Sequence, residues 1–204
     1  MSNYKEFKLT QYTKSGGWGA KFSLEDLGQI LSLFNLENKN PNILVDASTR
    51  DDAAIYKINN DTCIALTVDF FPPNVDDPYT YGQISAANSM SDIYAMGGDP
   101  IIGLNIAAFP KKFPIEVINN ILLGAKEKCD EAGLSIIGGH TIYDDEPKYG
   151  LAVIGKINCN EIKKNNTAKS GDLLILTKAL GTGIITQLLK NNSNNIGSAL
   201  NESI

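Results

Sequence analysis

The sequence predicts an α+β domain: a mixed β-sheet with helices packed on one face. Three observations carry this. The segments run β-β-α-β-α-β-β, which is neither strict βα alternation nor all-β. Two helical stretches, residues 81–96 and 115–132, are each stopped by glycine, at Gly97-Gly98 and at Gly133. Apolar runs 53–58 and 62–68 flank Asn59-Asn60-Asp61, the pattern of a β-hairpin.

The remaining elements follow in order. Residues 1–22 form a flexible glycine-rich arm, because Ser15-Gly16-Gly17-Trp18-Gly19 holds neither helix nor strand cheaply. Ser23 is a good N-cap for a first helix. Glu25 and Asp26 sit in its first turn, and Leu24, Leu27, Ile30, Leu31 and Phe34 share one face. Residues 35–50 read as polar connection. A strand spans 101–109, Pro114 opens the helix over 115–132, and further strands fit 134–137 and 150–157. Residues 23–157 thus make one domain, and 158–171 a polar linker. A strand at 173–177 and a helix at 183–190 begin a second α+β unit, 172–204, with too little apolar surface for its own core. No internal repeat is present.

Composition bounds the function. With 204 residues, 43% hydrophobic and 20% charged, wholesale disorder is excluded. A formal charge of −5 argues against a nucleic-acid binder working through a basic face. It permits a nucleotide site, where a metal ion supplies the positive charge. No run approaches membrane-spanning length, and the polar N-terminus lacks a signal peptide's apolar stretch. Cys63, Cys129 and Cys159 are odd in number, widely spaced and without CxxC, so neither a disulfide framework nor a zinc site is expected. They read as packing residues in a reducing cytosol.

Asp52 sits at the mouth of the first hairpin strand, Asp69 ends the second, and Asp92 lies within a fairly apolar helix. Magnesium takes one or two carboxylates plus substrate phosphates, and these positions suit it. On spacing alone, ordinary turn and cap aspartates are the stronger reading. The glycine arm ends in Lys21, which suits a phosphate-contacting loop as well as a plain tail. Gly138-Gly139-His140-Thr141 follows a predicted strand and allows close approach to a ligand, or makes a simple strand-to-loop turn.

Several segments occur in order: Leu9-Thr10-Gln11-Tyr12, Gly16-Gly17-x-Gly19-x-Lys21, Thr49-Arg50-Asp51-Asp52-Ala53-Ala54, Asp69-Phe70-Phe71, Ser91-Asp92-Ile93-Tyr94-Ala95-Met96-Gly97-Gly98, Gly138-Gly139-His140-Thr141 and Thr177-Lys178-x-Leu180-Gly181. Over residues 8–185 the pattern resembles the N-terminal part of selenophosphate synthetases (selenide, water dikinases), relatives of aminoimidazole ribonucleotide synthetase. The resemblance implies ATP, selenide and water as substrates, and selenophosphate, AMP and phosphate as products. It also implies magnesium and a cytoplasmic homodimer paired through the main sheets, with ATP near the interface. Carried over by motif, Lys21 contacts the nucleotide phosphates and assists catalysis. Thr49, Arg50 and Asp51 line the ATP site. Asp52 and Asp92 bind magnesium, Asp92 also facing the nucleotide. Asp69 sits on the nucleotide-metal complex, and Gly139, His140 and Thr141 complete the site.

Two departures matter. The family's catalytic Cys or selenocysteine position is Trp18, and an indole supplies no nucleophile. Two accounts fit. A selenocysteine UGA codon differs from the tryptophan codon UGG by one base, or the chain is a paralogue that has lost this residue. The native codon separates them. The chain also stops at Ile204, just inside the family's second domain, so little or no synthetase activity is expected of it alone. The competing readings are a catalytically silent nucleotide-binding chain that acts by association, and another ATP-dependent kinase or ligase of the same group.

Overall fold

The computed structural model describes residues 7–14, 17–32 and 39–191. Helix α1 (Leu24–Ser32) precedes strands β1 (Ile43–Val45), β2 (Ala54–Lys57) and β3 (Thr62–Phe71). Helix α2 (Pro78–Ala95), β4 (Asp99–Phe109), α3 (Ile115–Glu131), β5 (Ser135–Tyr143), β6 (Lys148–Asn158) and α4 (Thr182–Asn191) follow. The six strands form one sheet in the order β1-β2-β3-β6-β4-β5. Only the β4–β5 pair is parallel, so the sheet is mixed as expected.

The centre of the sheet is the β3–β6 ladder, in register from Thr62↔Asn158 to Phe71↔Tyr149. Alternation along these strands sets the two faces. Cys63, Ala65, Asp69 and Phe71 of β3, with Tyr149, Leu151, Val153 and Ile157 of β6, are buried. Leu66, Val68 and Phe70 stand on the opposite face, 38%, 56% and 46% exposed. Helix α2 packs on the buried face against β3 and β6, and α3 packs beside it. The two helices approach closely at Gly82 and Gly124. A Cβ at Gly82 would collide with the Ile121 backbone carbonyl, and one at Gly124 with that of Tyr79.

Local chemistry explains the boundaries. Asn59 Oδ1 accepts from Asp61 N–H (3.0 Å) and Thr62 N–H (2.9 Å), closing the β2–β3 turn as a side-chain mimic of backbone. The Ser23 hydroxyl oxygen accepts from Asp26 N–H at 3.1 Å and caps α1. Phe34, assigned to that helix's apolar face, lies outside the described residues. Helix α2 begins three residues before the predicted start. Asp77 accepts from Thr80 N–H (2.7 Å) and Pro78 occupies the first turn.

Five expectations need correction. Residues 43–45 are not polar connection but the short edge strand β1. Strand β3 runs on past Val68, so Asp69 lies inside it rather than at its end. Strand β5 does not stop at residue 137. Parallel pairing with β4 carries it through Gly138 and Gly139 to Tyr143, and a side chain at Gly139 would collide with Asn105. The strand expected at 173–177 is not formed. Leu173, Leu174 and Ile175 are 82–96% exposed, with no strand alongside among the described residues. Finally, Cys63 and Cys159 are joined in a disulfide, Cα–Cα 5.2 Å, across 96 residues of sequence. Cys63 pairs with Ile157 in the ladder, and Cys159 N–H donates to the Asp61 carbonyl at 3.2 Å, which folds the chain back onto Cys63. This pairing removes the ground on which a reducing compartment was expected. Cys129 is free and buried, and burial pushes its thiol up to about 11.

The described part of the N-terminal arm lies against the domain. Leu9 is fully buried, and the Tyr12 and Phe113 rings meet edge to face at 4.9 Å. Thr10 donates to Asp76 through its N–H (3.0 Å) and hydroxyl (2.6 Å). Gly17 N–H donates to the Pro72 carbonyl at 2.9 Å. Among the described residues no helix is long and apolar enough to cross a membrane.

Thiol titration of the denatured, unreduced chain is expected to find one free thiol, rising to three after reduction. Cys159→Ser is expected to lower unfolding free energy in urea by about 2–4 kcal/mol, the usual contribution of a bridge closing a long loop. Three thiols without reduction would refute the pairing.

Candidate functional site

Asp69 organises the site. It points from β3 into the junction with α2 and is 6% exposed. Lys21 Nζ, arriving from the end of the glycine arm, lies 3.0 Å from its Oδ2. Asn88 Nδ2 of α2 donates to the same oxygen. One turn on, Asp92 accepts from the Thr67 hydroxyl at 2.6 Å. Positions 67 and 69 share a strand face, and 88 and 92 share a helix face, so two periodicities meet in one cluster. The buried Ser89 hydroxyl locks the junction. It lies 2.9 Å from the Asp69 carbonyl and from the Ser85 carbonyl, and accepts from Leu151 N–H at 3.1 Å.

The electrostatics are those of crowded acids. Burial raises the Asp92 carboxyl above the ordinary carboxylate range. The Thr67 hydroxyl opposes this, the charges of Asp69 and Asp52 add to it, and Lys21 offsets part. Among the described residues no three carboxylate, thiol or imidazole groups converge into a metal-ligating set. A magnesium ion does not need one, since it draws most of its ligands from water and substrate phosphate. The half-buried Asp92, raised by burial and further by two neighbouring acids, is a place where an added cation would relieve charge. The donor set is hard oxygen, which fits magnesium.

Beside this cluster a cavity of about 420 Å³ is lined by Asp46, Asp51, Asp52, Leu66, Thr67 and Val68 among others. Its rim is the loop between β1 and β2. Asp46 Oδ1 accepts from the Ser48 N–H (2.9 Å) and hydroxyl (2.6 Å), which holds its carboxyl below the usual range. The Thr49 hydroxyl donates to the Asp46 carbonyl at 3.1 Å. Arg50 adopts φ +56°, a left-handed conformation uncommon outside glycine.

Lys21, Asp52, Asp69 and Asp92 therefore come together, with Thr49, Arg50 and Asp51 on the adjoining rim. Gly139, His140 and Thr141 do not join them within one chain. Gly139 lies in the same cross-sheet row as Asp69, through Leu151 and Asn105, three strands away or roughly 14 Å. His140 belongs to the next row, through Ile106 and Gly150 to Phe70, and so stands on the open face. Trp18 lies in the 3-10 turn Gly17–Ala20 that begins at the Pro72 contact. Sequence reasoning missed Thr67, Asn88 and Ser89. The signal was present: Thr67 is two residues before Asp69 on a strand, and Asn88 four before Asp92 on a helix.

The fold that carries this cluster is a recognised domain type. A family profile described as AIR synthase related protein, N-terminal domain, matches residues 50–157, and the chain belongs to this family. Among curated relatives, the selenide, water dikinase of Caldanaerobacter subterraneus subsp. tengcongensis is 50% identical over 186 residues, covering 91% of this chain and 54% of that protein. That of Treponema denticola is 51% identical over 181 residues, covering 89% and 51%. The chain thus spans about half the length of the curated relatives it matches. Solved structures share the fold at low identity. AaThiL complexed with AMPPCP and TMP aligns at TM-score 0.60, 18% identity, over 75% of this chain and 49% of that one. Thermotoga maritima PurL complexed with AMPPCP aligns at 0.57, 15% identity, over 71% and 26%.

Asp92 yields a stability prediction with a definite sign. Its carboxyl is raised in the folded state, so the stability it lends is full below the unfolded value and is lost as pH rises through the folded one. Asp92→Asn is expected to raise the unfolding free energy of the ligand-free chain in urea at about pH 7, by on the order of 1 kcal/mol or less at a half-exposed site. The gain should vanish near pH 3, where both side chains are neutral. A loss of stability at neutral pH would refute the reading.

Proposed function

We propose that the chain is the nucleotide-binding half of a selenide, water dikinase, which makes selenophosphate, AMP and phosphate from ATP, selenide and water. The observation that carries this reading is the convergence of Lys21, Asn88 and Asp69 beside Asp92, next to the Thr49-Arg50-Asp51 rim. The half-length matches at about 50% identity support it, since each of those relatives is named for that activity.

In this reading Lys21 meets the nucleotide phosphates. Thr49, Arg50 and Asp51 line the nucleotide, and Asn88 keeps the Asp69 carboxylate aimed at the site. Asp52 and Asp92 would hold magnesium, with Asp69 beside the nucleotide-metal complex. The ion supplies the positive charge that phosphoryl transfer needs between an anionic substrate and carboxylates. The domain at 23–157 carries these groups, the arm at 1–22 brings Lys21 and residue 18, and 158–171 links to a second domain beginning at 172. A cytoplasmic location goes with this activity.

A homodimer completes the reading. The open sheet face carries Leu66, Val68 and Phe70, all substantially exposed, and also His140. An apolar sheet face of this kind is a surface that association buries. A second copy laid there would put His140 at a seam between chains, with Gly139 and Thr141 beside it on the same strand.

Trp18 favours a second reading, a nucleotide-binding chain without selenide chemistry that acts through association. Products from ATP distinguish the kinase-like alternatives: ADP would indicate a simple kinase and AMP the dikinase. The first test is calorimetric titration of the chain with a non-hydrolysable ATP analogue and magnesium, with Asp69→Asn in parallel. Binding by the parent that falls at least tenfold in the variant is expected, since a lost charge-assisted contact is worth roughly 1.5–3 kcal/mol. Absence of binding by the folded parent would overturn the nucleotide reading for this half.

A further inference from the structure

The segment leaving β6 returns to the candidate site as a strap. Cys159 is bonded to Cys63, and Lys163 N–H donates to the Met96 carbonyl at 2.9 Å, at the end of α2. Lys164 Nζ reaches the Leu44 carbonyl in β1 at 3.4 Å. A turn follows, in which Thr167 donates to the Lys164 carbonyl through its N–H (3.2 Å) and hydroxyl (2.8 Å). Asn165 projects from this turn onto the β1–β2 loop. Its Nδ2 donates to the Arg50 carbonyl at 2.8 Å, and its backbone N–H to Asp51 Oδ1 at 2.6 Å.

We propose that Asn165 is a positioning residue, which holds the Arg50–Asp51 peptide in its left-handed turn and so fixes the rim of the 420 Å³ cavity. A non-glycine residue at φ +56° persists only where its surroundings over-determine it. On one side the Asp46–Ser48–Thr49 turn anchors the loop. On the other, Asn165 is the element that grips Arg50, where the strain lies, and its neighbour Asp51. The same hydrogen bonds set the direction of the Asp51 carboxylate. The role of Asn165 toward a ligand rests on the nucleotide reading above, whereas its hold on the loop does not.

Arg50 is the chain's single arginine, which provides a local probe. An arginine-specific protease cuts only after Arg50, and only when the loop opens. Asn165→Ala and Asn165→Asp are expected to speed that cleavage about threefold to tenfold, the range set by one lost hydrogen bond, with unfolding free energy in urea lowered by no more than that one bond accounts for. Asn165→Asp keeps the size but loses the donor. Asn165→Gln keeps an amide donor and is expected to restore part of the protection. Cleavage at the parent rate in both the Ala and Asp variants would overturn the proposal, as would equal acceleration in Asp and Gln. Should Asn165→Ala melt early, the Asp and Gln pair decides. In a separate arm, a non-hydrolysable ATP analogue with magnesium is expected to slow cleavage of the parent. Failure of that protection counts against the nucleotide reading alone, and the comparison of variants still decides the role of Asn165.

Discussion

A carboxylate held at 6% exposure in the seam between a central strand and its covering helix makes demands on everything around it. Burying a carboxylate without partners is expensive, so Asp69 must be met by donors from separate parts of the chain. It is met by Lys21 from the arm and Asn88 from α2. Those contacts exist only if α2 lies in one rotation about its axis. That rotation is enforced from beneath by Ser89, which bridges the Asp69 carbonyl and Leu151 N–H in neighbouring strands. It is enforced from the far side by α3, which approaches so closely at Gly82 and Gly124 that no side chain fits there. The fold is thus arranged to hold two acidic side chains at fixed places on adjacent elements.

The arrangement runs against stability. Asp69 and Asp52 both press on the half-buried Asp92, with Lys21 as the opposing cation. Such a cluster is poor as a structural device and suitable as a receptor for positive charge. Stability given up at a site of this kind is a mark of function, because selection for stability alone would replace one of the acids by an amide.

Much of this was legible in the residues. The mixed sheet, the two long helices and the hairpin follow from period, capping and turn chemistry, whereas α2 starts at Asp77-Pro78, three residues before the predicted position. What stayed hidden needed three dimensions. Cys63 and Cys159 stand 96 positions apart, and only the β3–β6 register brings them together. Gly138 and Gly139 read as the end of a strand, yet β4 supplies a parallel partner that carries β5 onward. The motif residues at 49–52, 69 and 92 were recognisable as a set, but Thr67 and Asn88 were not, since no motif names them. Asn165 lay in a stretch whose composition says only linker. Its hold on Arg50 depends on a strap that folds back across the end of α2.

The division of motif residues between the two faces of the sheet gives the last constraint. Directly opposed residues in a sheet point to the same side, so the row Asp69, Leu151, Asn105, Gly139 and the row Phe70, Gly150, Ile106, His140 face opposite ways. A single chain cannot fold His140 toward Asp69 without a one-residue slip of β5, and a slip would turn Ile136 away from the core it packs against. If both groups serve one ligand, the ligand must lie at the margin of the sheet, where the faces meet, or a second chain must supply the missing half. The exposed Leu66, Val68 and Phe70 argue for the second solution, because they are apolar where a solvated face would be polar. The same geometry that keeps Asp69 buried therefore puts His140 on the face that carries Leu66, Val68 and Phe70.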